Sequence, residues 1–186
     1  MNFKYPWDTF PKYTIDVGSL NVPVEIQQTF RDYNIDKYVY CIMFKGIVIK
    51  YGMSAPKSKH RDPGERVYRQ IGHCCTWGQG IRLEGSSGAD WLVIERDFKN
   101  QYGIDIDHKH VKIIVWDVTK YPFQSFYPFR EVEAMESELI TYYLKHFGEK
   151  PIGNINDEAN KQNRSFIPTA TWNNCFEEDK KVAETI

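Results

Sequence analysis

Glu136 is the residue of this chain that most demands a chemical reason. Around it Val132, Met135, Leu139, Ile140, Tyr143 and Phe147 recur at helical spacing, and Glu136 falls inside that apolar stripe. A carboxylate turned toward a core or cleft needs a partner, either a metal ion or a cationic side chain. Glu131, Glu133 and Glu138 read as ordinary solvent-side acids. A second concentration of chemistry lies between Lys37 and His73. Lys37, Lys45, Lys50, Lys57, Lys59, Arg61, Arg66 and Arg69 are opposed there only by Asp62 and Glu65, in a chain of net charge −1. Such a stripe on an otherwise acidic protein attracts a phosphate backbone locally. A solvated charged face is the plainer alternative.

The elements that must position these groups can be read outward from Lys45-Gly46. Two apolar runs rich in β-branched and aromatic residues flank that pair, the signature of a β-hairpin. A three-residue loop, Phe44-Lys45-Gly46, sets Met43 against Ile47 and so Tyr40 against Lys50. A two-residue loop sets Tyr40 against Tyr51. The first is favoured, because lysine fits poorly at the left-handed first position of a tight turn. A helix is expected from Pro63 to about Cys75, with Asp62 as cap and Glu65 completing a capping box. Arg66, Arg69, Gln70 and His73 share one side of it, and Val67, Ile71 and Cys74 the other. A second helix carries Trp91, Ile94 and Phe98 and ends at Gly103. Val111–Val118 is a β-branched strand. Asp105, Asp107, His108 and His110 just before it lack diagnostic metal spacing and read as polar loop residues. The final helix runs from about Arg130 to Phe147. Ahead of the hairpin, Tyr13–Val17 suits a short strand and Val24–Tyr33 a short helix.

Length, composition and charge set the class. A chain of 186 residues with 41% hydrophobic and 26% charged residues suits one globular domain. No apolar run reaches the roughly 18 residues of a membrane span, and Pro6 and Asp8 break any secretory pattern at the N-terminus. A cytoplasmic protein is expected. Cys41, Cys74, Cys75 and Cys175 form no Cys-x-x-Cys pair and read as reduced, buried thiols.

In order along the chain, these elements resemble the GIY-YIG nuclease superfamily. Tyr38-Val39-Tyr40 is similar to the GIY segment, and Ile49-Lys50-Tyr51-Gly52 to the YIG segment with its glycine at Gly52. Arg66 sits early in the following helix, as the family arginine does. Asn100-Gln101-Tyr102-Gly103 matches the helix end before the strand. Glu136, Leu139 and Ile140 match Glu-x-x-Leu-Ile, and Pro151 to Asn154 the closing Pro…Asn. Lys50 stands at the second-tyrosine position, as in some restriction enzymes; in the other register Tyr51 fills it. The loop from Ser54 to Arg61 is long, so Arg61 rivals Arg66, and His73 loosely matches the family histidine.

The resemblance implies an α+β fold with a small three-stranded central sheet, mixed or antiparallel, flanked by helices. It also implies three regions: an N-terminal extension at 1–36, the nuclease-like domain at 37–155, and a tail at 156–186. The implied activity is Mg²⁺- or Mn²⁺-dependent DNA cleavage of a restriction or phage type, acting on double-stranded DNA, with a homodimer expected if both strands are cut. Tyr40 would be the general base, Lys50 its cationic neighbour, Arg66 the phosphate-charge stabiliser, Glu136 the metal ligand and Asn154 a brace. Lys57, Lys59, Arg61 and Arg69 would contact DNA. The alternatives are a nucleic-acid-binding module that has lost catalysis, and a protein-interaction domain using the aromatic N-terminus.

Overall fold

Lys45 and Gly46 both adopt left-handed backbone angles, with φ of 48° and 78°. They close a two-residue turn, so Phe44 pairs with Ile47. The favoured three-residue loop is therefore incorrect: Lys45 accepts the strained position. The register then shifts again. Met43 pairs with Val48 but Ile42 pairs with Lys50, leaving Ile49 as the extra residue of a β-bulge. Beyond the bulge Tyr40 faces Gly52, and Cys41 faces Tyr51. Neither expected cross-strand pair, Tyr40–Lys50 or Tyr40–Tyr51, forms.

The computed structural model describes residues 4–22, 24–55, 62–71, 91–124 and 126–154. Its strands are β1 (Lys12–Asp16), β2 (Tyr38–Phe44), β3 (Ile47–Ser54) and β4 (Val111–Asp117). Its α-helices are α1 (Glu25–Asp32), α2 (Glu65–Ile71), α3 (Trp91–Tyr102) and α4 (Pro128–Phe147). The chain is thus α+β. The sheet among the described residues has four strands, ordered β1-β4-β2-β3, and every pairing is antiparallel. The expected three strands become four because the N-terminal segment pairs along β4, from Lys12 with Trp116 to Asp16 with Lys112.

Side-chain alternation divides the core in two. Tyr38, Tyr40, Ile42 and Phe44 face Ile26 and Phe30 of α1, Val67 and Ile71 of α2, and Ile94 and Phe98 of α3. Val39, Cys41, Met43 and Tyr51 face Val132, Met135, Leu139 and Ile140 of α4, together with Tyr5 and Trp7. The side chain of Trp91, and Cys74, Cys75, Cys175 and the tail from 156 to 186, lie outside the described residues.

Local stops explain the helix ends. α2 does not begin at Pro63. Asp62 to Glu65 is a turn, with the Glu65 N–H donating to the Asp62 carbonyl at 3.2 Å and Gly64 at φ +74°. Pro at its second position and a left-handed Gly at its third make it type II. A side chain on Gly64 would press into the Phe30 ring, 2.5 Å from Cδ2. Gly103 ends α3 with its N–H on the Lys99 carbonyl at 2.8 Å. Asp107 caps a short turn by accepting from the Lys109 N–H at 3.0 Å, and Lys99 pairs with Asp105 at 2.8 Å. No helix among the described residues is long and apolar enough to cross a membrane.

Candidate functional site

Gly52 makes room for Tyr40. A β-carbon at Gly52 would overlap Cζ and Oη of Tyr40 and lie 2.6 Å from Cε1. The phenol therefore stretches across β3, the edge strand of the described sheet. The bulge at Ile49 serves the same end. The turn alone would have placed Tyr51 opposite Tyr40. One extra residue instead puts Lys50 on the side of Tyr40 and turns Tyr51 to the other face, where its ring meets Tyr143 at 6.3 Å. Lys50 is buried, and its Cβ lies beside Gly153 near Ile94. Lys50, not Tyr51, thus shares the Tyr40 face, although it pairs with Ile42.

The C-terminal end of the described chain braces this edge. Asn154 accepts from the Tyr51 N–H at 2.9 Å and donates to the Tyr51 carbonyl at 3.0 Å. The Gly153 N–H donates to the Ile49 carbonyl at 2.8 Å. Together they act as a fifth partial strand on an edge that would otherwise offer open hydrogen-bonding groups.

Two charges act on the Tyr40 hydroxyl. Burial pushes its pKa well above the ordinary tyrosine value; the Arg66 guanidinium opposes that shift, and the Glu136 carboxylate adds to it. Arg66 comes from the first turn of α2, held by the neighbouring Val67 in the core. Glu136 comes from the middle of α4 and is only 6% exposed, as the interrupted stripe predicted. Arg66 is close enough to favour the phenolate, yet the neutral hydroxyl makes no well-aligned hydrogen bond to any described residue.

Three buried polar atoms on this face make no well-aligned hydrogen bond to a described residue: the hydroxyls of Tyr38, near Ser54, and of Tyr40, near Arg66, and Oε1 of Gln70 one turn beyond Arg66. Burial also raises the Tyr38 pKa, opposed by Ser54 and Arg66, and its ring lies 6.1 Å from that of Tyr40. Unsatisfied buried groups are rare in folded proteins and mark places where something else binds or reacts.

Other expected residues fall differently. Lys57, Lys59, Arg61 and His73 lie outside the described residues, as does the side chain of Arg69 in α2. Glu138 is not a solvent-side acid: it is buried, and Trp7 Nε1 donates to its Oε1 at 3.1 Å. Its position was legible, since Met135 precedes it by three residues and Tyr142 follows it by four, both apolar and on one helix face. Tyr38 was also legible as a site neighbour, two residues before Tyr40 on one face of a strand.

The donors present suit a hard cation. A buried carboxylate beside a phenol offers oxygen ligands only, and among the described residues no group of three His, Cys, Asp or Glu side chains gathers. One carboxylate plus retained water is the usual protein contribution to Mg²⁺, whereas zinc wants several nitrogen or sulfur ligands. Compared with family models, curated proteins and solved structures, the chain matches none.

Proposed function

We propose that the chain is a divalent-cation-dependent DNA endonuclease of the GIY-YIG type, with the fold of that superfamily extended by β1 and α1. One observation carries this reading: the buried Tyr40 hydroxyl lies within the electrostatic reach of both the Arg66 guanidinium and the buried Glu136 carboxylate. The residues come from the segments whose spacing resembles the family.

Phosphodiester hydrolysis needs a proton acceptor for water and positive charge at the phosphate and leaving oxygen. Tyr40 Oη takes the proton. Arg66 receives the negative charge that builds on the phosphate, in a partly buried setting where such contacts are strong. Lys50 adds a second, buried cation on the same sheet face, available to the phosphate. Glu136 would hold Mg²⁺ or Mn²⁺, which supplies charge to the phosphate and the leaving oxygen. Asn154 acts indirectly, by fixing the backbone at Tyr51 and with it the line of β3 under the phenol. Residues such as Lys57, Lys59, Arg61 and Arg69 supply the phosphate contacts of a double-stranded substrate, and a homodimer would cut both strands.

A nucleic-acid-binding module without chemistry is the second reading. The raised Tyr40 pKa favours it, since a neutral phenol is no base. Supercoiled plasmid with Mg²⁺ separates the two. Wild type should convert it to nicked or linear form, whereas Glu136→Ala and Tyr40→Phe should bind DNA without cutting. Cleavage that persists in Glu136→Ala refutes the nuclease reading; salt-sensitive binding by a wild type that never cuts favours the binding module.

A further inference from the structure

Away from Tyr40's hydroxyl, a cleft of about 520 Å³ opens at the end of the sheet. Its walls are Phe10 and Pro11 before β1, Tyr13 on β1, Tyr33 and Asn34 at the end of α1, and Tyr121 beyond β4. We propose that this cleft is a stacking subsite for one unpaired nucleobase of the DNA substrate. This inference rests on the nuclease reading and adds a substrate class to it: duplex carrying an extruded, bulged or overhanging base.

The first argument is chemical. The rings of Tyr13 and Tyr33 lie 4.4 Å apart with 34° between their planes, and Tyr33 is 56% exposed. An exposed ring already held by a second ring is a rigid platform, and every base has a face that stacks on one. Mostly apolar walls with a few polar groups, and a volume in the hundreds of cubic ångströms, are typical of small-ligand sites. Asn34, Lys120 and Asp117 supply polar groups to the lining. Asn34 is held in a left-handed conformation, φ 54°, with its N–H on the Arg31 carbonyl at 3.2 Å. That places a base-reading amide beside the rings at some cost in strain.

The second argument is position. Tyr13 pairs with Val115, Val115 with Tyr40, and Tyr40 with Gly52. Directly paired residues share a face, so Tyr13 and Tyr40 lie in one row, two strands apart, about 10 Å between Cα atoms. The Tyr40 phenol reaches one strand further, over Gly52, so its hydroxyl lies about 14 Å from the Tyr13 position, a gap that a DNA strand spans in a few nucleotides. The two places are also tied together. Phe30 of α1 stacks on Tyr38 at 4.5 Å, and Arg31 pairs at 3.7 Å with Asp62, in the turn that launches the helix bearing Arg66.

The test compares binding of two fluorescent duplexes of identical length, one perfectly paired and one with a single unpaired base, in Ca²⁺ to hold off cleavage. Wild type should prefer the unpaired base. Tyr33→Ala should lose that preference by roughly 5- to 150-fold, the worth of one stacked base. Tyr33→Phe keeps the ring and should keep the preference, and the salt slope should not change in either variant, because no phosphate contact is removed. Equal wild-type affinity for both duplexes, or a preference that survives Tyr33→Ala, overturns the subsite and leaves the nuclease reading standing. Absence of any DNA binding overturns both. Occupation of the cleft by a proline-rich peptide, seen as tyrosine chemical-shift changes at Tyr13 and Tyr33 that unpaired-base DNA does not compete, also overturns it.

Discussion

Gly52→Ala is the substitution that most directly tests how Tyr40 is held. The new methyl group would overlap the tip of the phenol and lie 2.6 Å from Cε1. Carbon atoms in contact sit about 3.5–4.0 Å apart, so the ring must move by roughly 1 Å or more. It has little room, being fully buried beside Tyr38. Overpacking of this kind costs about 1–3 kcal/mol, and removing glycine's excess freedom in the unfolded chain returns about 0.5–1 kcal/mol. Overlap with several ring atoms calls for the upper part of that cost range, so a net loss of roughly 1–2.5 kcal/mol should lower Tm by about 2–10 °C in a chain of this length. The effect on cleavage should be larger, since a misplacement of about 1 Å at a reacting group costs on the order of 100-fold. Thermal denaturation and plasmid nicking would be measured for Gly52→Ala, Tyr40→Ala and the double variant. Without the ring the alanine has nothing to strike, so Gly52→Ala should be neutral or slightly stabilising in the Tyr40→Ala background. An unchanged Tm in the single variant, or the same loss in both backgrounds, refutes the account.

Three further expectations follow from buried contacts. Asn154→Ala should destabilise by about 1–3 kcal/mol by leaving both Tyr51 backbone groups unbonded, and should speed hydrogen exchange at the Tyr51 amide; Asn154→Asp keeps the acceptor, so that amide should stay protected while stability still falls. Trp7→Phe removes a buried hydrogen bond to Glu138, worth about 1.5–3 kcal/mol, and should lower Tm without changing the Mg²⁺ dependence of cleavage; an unchanged Tm counts against the bond. Alkali should unfold the protein: Tyr38 and Tyr40 hold their protons above the ordinary range, so between pH 10 and their folded pKa values the unfolded chain has lost protons that the folded one keeps. The stability is whole below about pH 10 and should fall above it by about 1.4 kcal/mol per pH unit for each group. Urea midpoints at rising pH should show a shallower fall in Tyr40→Phe; identical slopes would contradict it.

The parts of this fold visible in the sequence are those governed by local pattern. The α1 pair Ile26 and Phe30, the α4 stripe, and the β-branched run of β4 each announce a face to be buried, and each is buried. What failed depended on backbone detail or on distant pairing. A bulge at Ile49 has no side-chain signature, yet it decides which face Lys50 and Tyr51 occupy. Asp62-Pro63-Gly64-Glu65 reads equally as a helix cap or a type II turn, and the Phe30 ring against Gly64 selects the turn. β1 was legible as a short strand near Tyr13–Val17, but nothing local showed that it joins the sheet as a fourth strand, because its partner β4 lies some hundred residues later. Glu136 was found because it interrupts a stripe. Glu138 had a burial signal in Met135 and Tyr142 on its own helix face, but its partner, Trp7, had none, lying at the other end of the chain.

The electrostatics of Tyr40 set a condition on the proposed chemistry. Burial makes this phenol a harder group to ionise than a free tyrosine, and of the two fixed charges beside it only Arg66 helps. An arriving phosphate would bring more negative charge and push its pKa higher still. Arg66 cannot serve phosphate and phenolate at full strength together. Positive charge must therefore arrive with the substrate, and Glu136, whose own charge currently opposes ionisation, is where it would be most effective. Removing the Tyr40 hydroxyl follows the same logic from the side of stability. The group is buried and makes no aligned hydrogen bond to a described residue, so Tyr40→Phe should fold as well as wild type or slightly better. A hydroxyl that stability would discard, and that the backbone at Gly52 is shaped to admit, is on the proposed reading kept for what it does to a bound ligand.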